Sequence, residues 1–145
     1  MSEKPKQQHL TEETPRPRNA VPGGVYSIGY HGKSWKGFLQ LLNDHSISLL
    51  LDVRTIPRSR YNPAFNINNL KIKLGSRYQW AGDCLGGLKG KRQPGYWEAL
   101  RELAARSRLG NICLLCVEKN PNDCHRKTWI AADLEQLYGI KTEHL

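Results

Sequence analysis

The sequence predicts an α/β domain, a three-layer sandwich built around a mostly parallel sheet of about five strands. Three observations carry that reading. From Val25 onward, apolar runs of strand length alternate with segments of helical periodicity. The run Ile47-Ser-Leu-Leu-Leu-Asp-Val53 is apolar almost throughout, as a strand covered on both faces must be. Helix signals punctuate the runs: Ser34 is placed to cap the first helix and Gly139 to close the last. At 145 residues the chain makes one domain with room for a real core, and its crossovers are expected to be right-handed.

The elements follow in order. Met1–Gly24 carries Pro5, Pro15, Pro17, Pro22 and a Gly-Gly pair with little apolar content, which predicts a disordered tail preceding a domain over 25–145. Val25–Tyr30 reads as a short strand. After Ser34, the spacing of Trp35, Phe38, Leu39 and Leu42 predicts a helix ending near Asp44-His45. The buried strand Ile47–Val53 is followed by a loop rich in Arg, Pro and Asn, then by a basic helix around Asn68–Leu74. Tyr78–Trp80 is a third strand. Gly82–Gly95, with five glycines and a proline, is expected as a mobile loop. Tyr96–Ser107 is amphipathic, with Trp97, Leu100, Leu103 and Ala104 facing inward. Ile112–Val117 is the fourth strand, Asp123–Tyr138 the last helix, and Lys141–Leu145 closes the sheet.

Composition narrows the function classes. No run of about 18 apolar residues offers a membrane helix, and Met1–Leu10 is polar, unlike an export signal. Cys84, Cys113, Cys116 and Cys124 form no disulfide framework, so reduced thiols in a cytoplasmic protein are expected. The net charge of +9 is concentrated. Residues 54–101 carry ten Arg and Lys against only Asp83 and Glu98, a net of +8. That is the footprint of an anionic partner, nucleic acid or polyphosphate, or else of a basic surface without one.

The richest stretch is Ile112-Cys-Leu-Leu-Cys-Val-Glu-Lys-Asn-Pro-Asn-Asp-Cys-His-Arg126. It reads as a buried strand ending on a thiol, then a carboxylate, then a helix entered on Cys-His-Arg. In an open parallel sheet, Tyr30-His31, Asp52–Arg54 and Cys116–Glu118 fall on the same carboxyl edge, where ligands bind. Asp123 is placed to cap the last helix, which puts Cys124, His125 and Arg126 in its first turn, favourable for an anion or a thiolate. The candidate catalytic set is therefore Cys116, Glu118, His125, Arg126 and Asp52. Tyr30, His31, Arg54, Arg58, Ser59, Arg60 and Cys124 are candidates for binding an anionic substrate. Arg58, Arg60, Arg77, Lys89, Lys91 and Arg92 are candidates for nucleic-acid contact.

Each has a plainer reading. Cys116 is a nucleophile or a small core residue. Cys113 is core, and Cys84 is incidental. Asp52 is a base or, with slightly more weight, the ion-pair partner of Arg54 or Arg126. His125 is an acid–base group or bonds a loop carbonyl. Zinc on Cys116, Cys124 and His125 is disfavoured by the seven-residue gap and the adjacent Cys-His, so no metal is expected. Nothing calls for another cofactor.

Ser-Ile-Gly-Tyr, Leu-Asp-Val-Arg-x-x-Pro-Arg-Ser-Arg, Asn-Pro-x-Phe, Leu-Gly-Gly and Leu-Cys-x-Glu-Lys-x-Pro-x-x-Cys-His-Arg resemble domain-of-unknown-function family 488, a group of small prokaryotic α/β proteins. The resemblance runs from about Tyr26 to Leu145 and implies the fold but no reaction. Its signature positions are Tyr30, Asp52, Arg54, Pro57, Arg58, Ser59, Arg60, Gly86, Gly87, Cys116, Glu118, Cys124, His125 and Arg126. Between Gly87 and Tyr96 this chain is compact where longer relatives carry an insertion. The Leu-Asp-Val-Arg strand and the Cys-ended strand also look like the rhodanese arrangement, without its anion cradle. Three functions result: an enzyme acting on nucleic acid or a nucleotide-like anion, favoured here; sulfur or phosphoryl transfer through Cys116; and a non-catalytic nucleic-acid-binding module.

Overall fold

A computed structural model describes residues 23–118, 124 and 126–145, with only the backbone for 126–128. Five strands are present: β1 (Val25–Gly29), β2 (Ile47–Asp52), β3 (Tyr78–Trp80), β4 (Asn111–Cys116) and β5 (Thr142–His144). They form one sheet in the order β3-β2-β4-β1-β5 with every pair parallel. Five α-helices accompany it: α1 (Trp35–Asp44), α2 (Ile67–Leu74), α3 (Gly82–Leu85), α4 (Tyr96–Arg106) and α5 (Ala132–Tyr138). The expected sandwich is therefore observed. Most of the expected tail, residues 1–22, lies outside the described residues.

The apolar strands split the core in two, because successive side chains leave a strand on opposite faces. Cys113 and Leu115 of β4 join Ile28, Leu50, Phe38, Leu42, Leu70 and Leu74 under α1 and α2. Ile112 and Leu114 join Val25, Leu49, Leu51, Leu100, Leu103, Leu134 and Leu137 under α4 and α5. Cys113 is thus core, as expected. Ile47 and Leu49 have the same parity yet lie in different cores, because the ladder to β4 shifts register between them. Ser27, the buried polar residue of β1, bonds His144 across the pair with β5.

The caps behave as their chemistry requires. Ser34 Oγ accepts from Gly37 N at 3.1 Å at the start of α1. Gly139 ends α5 in the left-handed region at φ 67°, with its N–H bonded back to Glu135.

Two expectations are corrected. The last helix is not one α-helix from Asp123: a π-helical segment, Arg126–Ala131, precedes α5, and Asp123 lies outside the described residues. Gly82–Gly95 is not simply a loop, because Gly82–Leu85 is α3, with Gly82 and Leu85 buried. The reason is close approach. A Cβ on Gly82 would lie 1.8 Å from the Arg54 carbonyl oxygen, so this glycine lets α3 lie against the end of β2. Tyr96, rather than Trp97, is the fully buried aromatic of α4. Its hydroxyl donates to buried Asp133 at 2.7 Å, which also accepts from Arg92.

Because the nearest obstructing atom at Gly82 is a backbone carbonyl oxygen, backed by the Trp80 indole nitrogen that it bonds, there is little room to yield. Gly82→Ala is expected to destabilise the fold by about 3 kcal/mol. A lowered denaturant midpoint at unchanged slope checks this, and a wild-type midpoint would show that the approach relaxes freely.

Candidate functional site

From β2 the chain crosses toward β3, and from β4 it crosses the other way toward β5. The connections part between these two neighbours, so a crevice opens at their carboxyl ends. Backbone bonds set its rim. Val53 N donates to Leu115 O at 3.2 Å, Tyr30 N to Cys116 O at 3.1 Å, and His31 N to Val117 O at 3.0 Å. The ends of β1, β2 and β4 are thereby held together, as the parallel topology predicted.

Asp52 sits at the base of this edge, wholly buried. It accepts from Arg54 Nε at 2.8 Å, Arg54 Nη2 at 2.7 Å, the Arg54 backbone N–H at 3.1 Å and the Tyr78 hydroxyl at 2.5 Å. A carboxylate so saturated is the ion-pair partner of Arg54 and has little capacity left as a base. Burial alone would lower the Arg54 pKa, but the hydrogen bonds and charge of Asp52 outweigh it and raise it. Burial, then the bond to Asp52 and its charge, push the Tyr78 phenol well above its ordinary value. Arg54 Nη2 also donates to Phe65 O at 2.8 Å, while Nη1 is buried without a partner among the described residues. Its guanidinium carbon lies 5.3 Å from the centre of the Tyr30 ring, which stacks on Phe65 at 4.7 Å.

Beyond Arg54 the chain folds back onto the start of α2. Ile67 N donates to Pro57 O at 2.9 Å, Ser59 N to Asn66 Oδ1 at 2.5 Å, and Asn62 N to Ser59 Oγ at 3.0 Å. With the backbone so pinned, Arg58, Arg60 and Tyr61 project outward, Tyr61 being 91 % exposed. A cleft of about 340 Å³ opens here, lined by Tyr30, His31, Gly32, Ser59, Tyr61, Asn62 and Val117. Sequence reasoning missed Gly32, Tyr61, Asn62 and Val117. An aromatic directly following Arg58-Ser-Arg60 was the available signal.

The cysteines require a correction. Cys116 and Cys124 are joined by a disulfide rather than reduced, and both are 4 % exposed. Their pairing was not legible because it depends on β4 and the following segment converging on one edge, not on a local motif. Cys116 is therefore not a free nucleophile here, and the transfer reading built on it loses its reactive thiolate. Glu118 Oε2 lies 3.1 Å from Cys116 Sγ. The two sulfurs and this carboxylate lie within 4.8 Å of one another, a donor set for a thiophilic cation only once the disulfide is reduced.

Other candidates lie apart. Arg77 Nη2 donates to Ile47 O at 2.9 Å, at the opposite end of β2 from the cleft. Arg92 bonds Asp133 and packs beside the rings of Tyr96, Trp97 and Trp129. Lys89 and Lys91 are exposed in the segment before α4. His125 and the Arg126 side chain lie outside the described residues. Among the described residues, no helix is long and apolar enough to cross a membrane.

Removing the Asp52 carboxylate would leave Arg54 charged, buried and unpaired. Asp52→Ala is expected to cost about 3–5 kcal/mol, read from thermal or denaturant unfolding. A loss below about 1 kcal/mol would mean that water reaches the guanidinium. Tyr78 and Tyr96 both have raised folded-state pKa values. The stability they lend is therefore complete below about pH 10, where unfolded tyrosines ionise, and declines as pH rises further. A melting temperature that falls above that pH, with a shallower fall in Tyr78→Phe and Tyr96→Phe, is the expected result.

Comparison with curated proteins and with solved structures gives no match. The Cys-x-Glu…Cys-His-Arg block lies outside the residues that match a family model. Residues 34–96, from the cap of α1 to the first residue of α4, match the family described as Domain of unknown function DUF488, so the resemblance read from the motifs holds over a little under half of the chain.

Proposed function

We propose that this protein is an enzyme acting on a nucleotide-like anion, presented as single-stranded nucleic acid or as a nucleotide, in the cleft at the carboxyl edge of the sheet. The observation that carries the reading is Tyr61, 91 % exposed on the cleft wall and preceded by the exposed Arg58 and Arg60. A large aromatic left in water makes no contribution to folding. Beside two exposed cations it has the composition of a stacking platform with phosphate contacts. Tyr30 and His31 add an aromatic and an imidazole to the same wall, and Arg54 Nη1, without a partner among the described residues, supplies a donor close to it.

In this reading Tyr61 stacks a base, and Arg58 and Arg60 hold adjoining phosphates. Glu118, exposed two residues beyond the end of β4, acts as the acid–base group. Asp52 and Tyr78 position Arg54 and touch no substrate. A binding-only module would use the same platform without Glu118, and a single substitution separates the two.

The test is anisotropy titration of labelled single-stranded oligonucleotides at low and physiological salt, followed by product analysis of the same complexes. Affinity should fall linearly in log–log form with salt. Tyr61→Ala should weaken binding about 5- to 100-fold. Replacing Arg58 and Arg60 together by Ala should lower the salt slope by about two. Glu118→Gln should bind as wild type and form no product. Absent binding at low salt, or binding indifferent to all three cleft substitutions, overturns the reading.

A further inference from the structure

We infer that Cys116 and Cys124 form a redox-active pair that exchanges with low-molecular-weight thiols, and that Glu118 relays the proton for this exchange. The inference is independent of the nucleotide reading, although both use Glu118.

Two observations meet at this point. The first is the disulfide itself, which joins the last residue of β4 to a residue eight positions later. The second is Glu118 Oε2, 3.1 Å from Cys116 Sγ. A disulfide sulfur has no hydrogen to donate, so in the oxidised form this carboxylate gains no hydrogen bond from its neighbour. Once Cys116 is a thiol, the same contact becomes an S–H···O bond. The carboxylate thus favours the reduced form, which makes the pair an oxidant toward thiols. Glu118 is exposed, so it reaches solvent while touching a sulfur that is nearly buried.

The remaining cysteines lack this setting. Cys113 is fully buried in the core under α1 and α2, on the other face of β4. The thiol of Cys84 is raised in pKa by burial and by Asp83 and Glu98, which keeps it protonated and slow to react.

The chemistry balances with two equivalents of thiol. A small-molecule thiolate attacks Cys124 Sγ, the S–S bond breaks, and Cys116 departs with the bonding electron pair. The proton given up by the attacking thiol passes through Glu118 to Cys116. A second thiol then attacks the mixed disulfide, releasing Cys124 as a thiol and the small molecule as its own disulfide. The protein gains two electrons and two protons, and two small thiols are oxidised.

The experiment uses the full chain, equilibrated across a series of reduced-to-oxidised glutathione ratios, acid-quenched, alkylated and analysed by intact mass and peptide mapping. Two thiols should appear together as the ratio rises, mapping to Cys116 and Cys124, while Cys84 and Cys113 stay reduced throughout. Glu118→Gln should slow reduction about a hundredfold near neutral pH and flatten the pH dependence of the rate. Cys116→Ser should trap glutathione on Cys124, and a circular dichroism spectrum like wild type qualifies that variant as folded. If Cys116→Ser does not fold, Glu118→Gln alone decides. The inference is overturned if the pair stays oxidised or stays reduced at every ratio, or if Glu118→Gln is reduced at the wild-type rate. It is overturned equally if the reduced protein holds zinc that shields both thiols. Exchange without oligonucleotide binding would sink only the nucleotide reading, and binding without exchange only this one.

Discussion

The buried ion pair between Asp52 and Arg54 is the constraint on which the rest of the carboxyl edge depends. Its acceptor, wholly buried at the end of β2, can stay charged only if its lone pairs are filled. Filling them organises the neighbours. The Tyr78 hydroxyl reaches Asp52 and fixes the start of β3, while Ala81 N bonds the Asp52 carbonyl at 2.8 Å. The Arg54 carbonyl accepts from Trp80 Nε1 at 2.8 Å and leaves space for Gly82 and nothing larger. Arg54 Nη2 holds Phe65 O, and Phe65 carries Tyr30 on its ring. A short edge strand, a one-turn helix and the floor of the cleft all depend on one carboxylate.

The same accounting shows why net charge is a poor map of a surface. Arg54, Arg77 and Arg92 contribute to the +8 of residues 54–101, yet each is engaged with protein atoms. Arg92 is the clearest instance. It sits beside three aromatic rings and on buried Asp133, which also takes the hydroxyl of buried Tyr96, so an Asp–Tyr pair reached by an exposed arginine anchors the basic segment onto α4 and α5. Arg58 and Arg60 are exposed beside the cleft, while Lys89 and Lys91 are exposed in the segment that Arg92 anchors.

The sequence made some of this legible and not the rest, for physical reasons. β2 and β4 were readable because burial on both faces demands continuous apolar runs, and α1 because Ser34 and its apolar spacing agree. The gathering of Tyr30, Asp52 and Cys116 on one edge followed from parallel pairing alone. The helix α3 was missed because glycine propensity argues against helix there, while the constraint that sets it is the Arg54 carbonyl in another element. Tyr96 was passed over for Trp97 because its buried hydroxyl needed Asp133, a partner 37 residues away. The π-helical entry to α5 and the Cys116–Cys124 bond likewise depend on tertiary convergence that no local spacing encodes.

Cys116 shows how far position alone determines chemistry. Its place at the end of a buried strand made both core and nucleophile reasonable. A lone thiol there, 4 % exposed, would be inert packing. What changes its character is what lies beside it: a second sulfur to bond and a carboxylate whose contact becomes a hydrogen bond only on reduction. In the two proposals Glu118 therefore stands between two kinds of chemistry, an anionic substrate in the cleft and an electron pair in the disulfide. Because a negative carboxylate disfavours both an adjacent thiolate and an adjacent phosphate, it suits each only by moving a proton. Its exposure to solvent is what lets it do so.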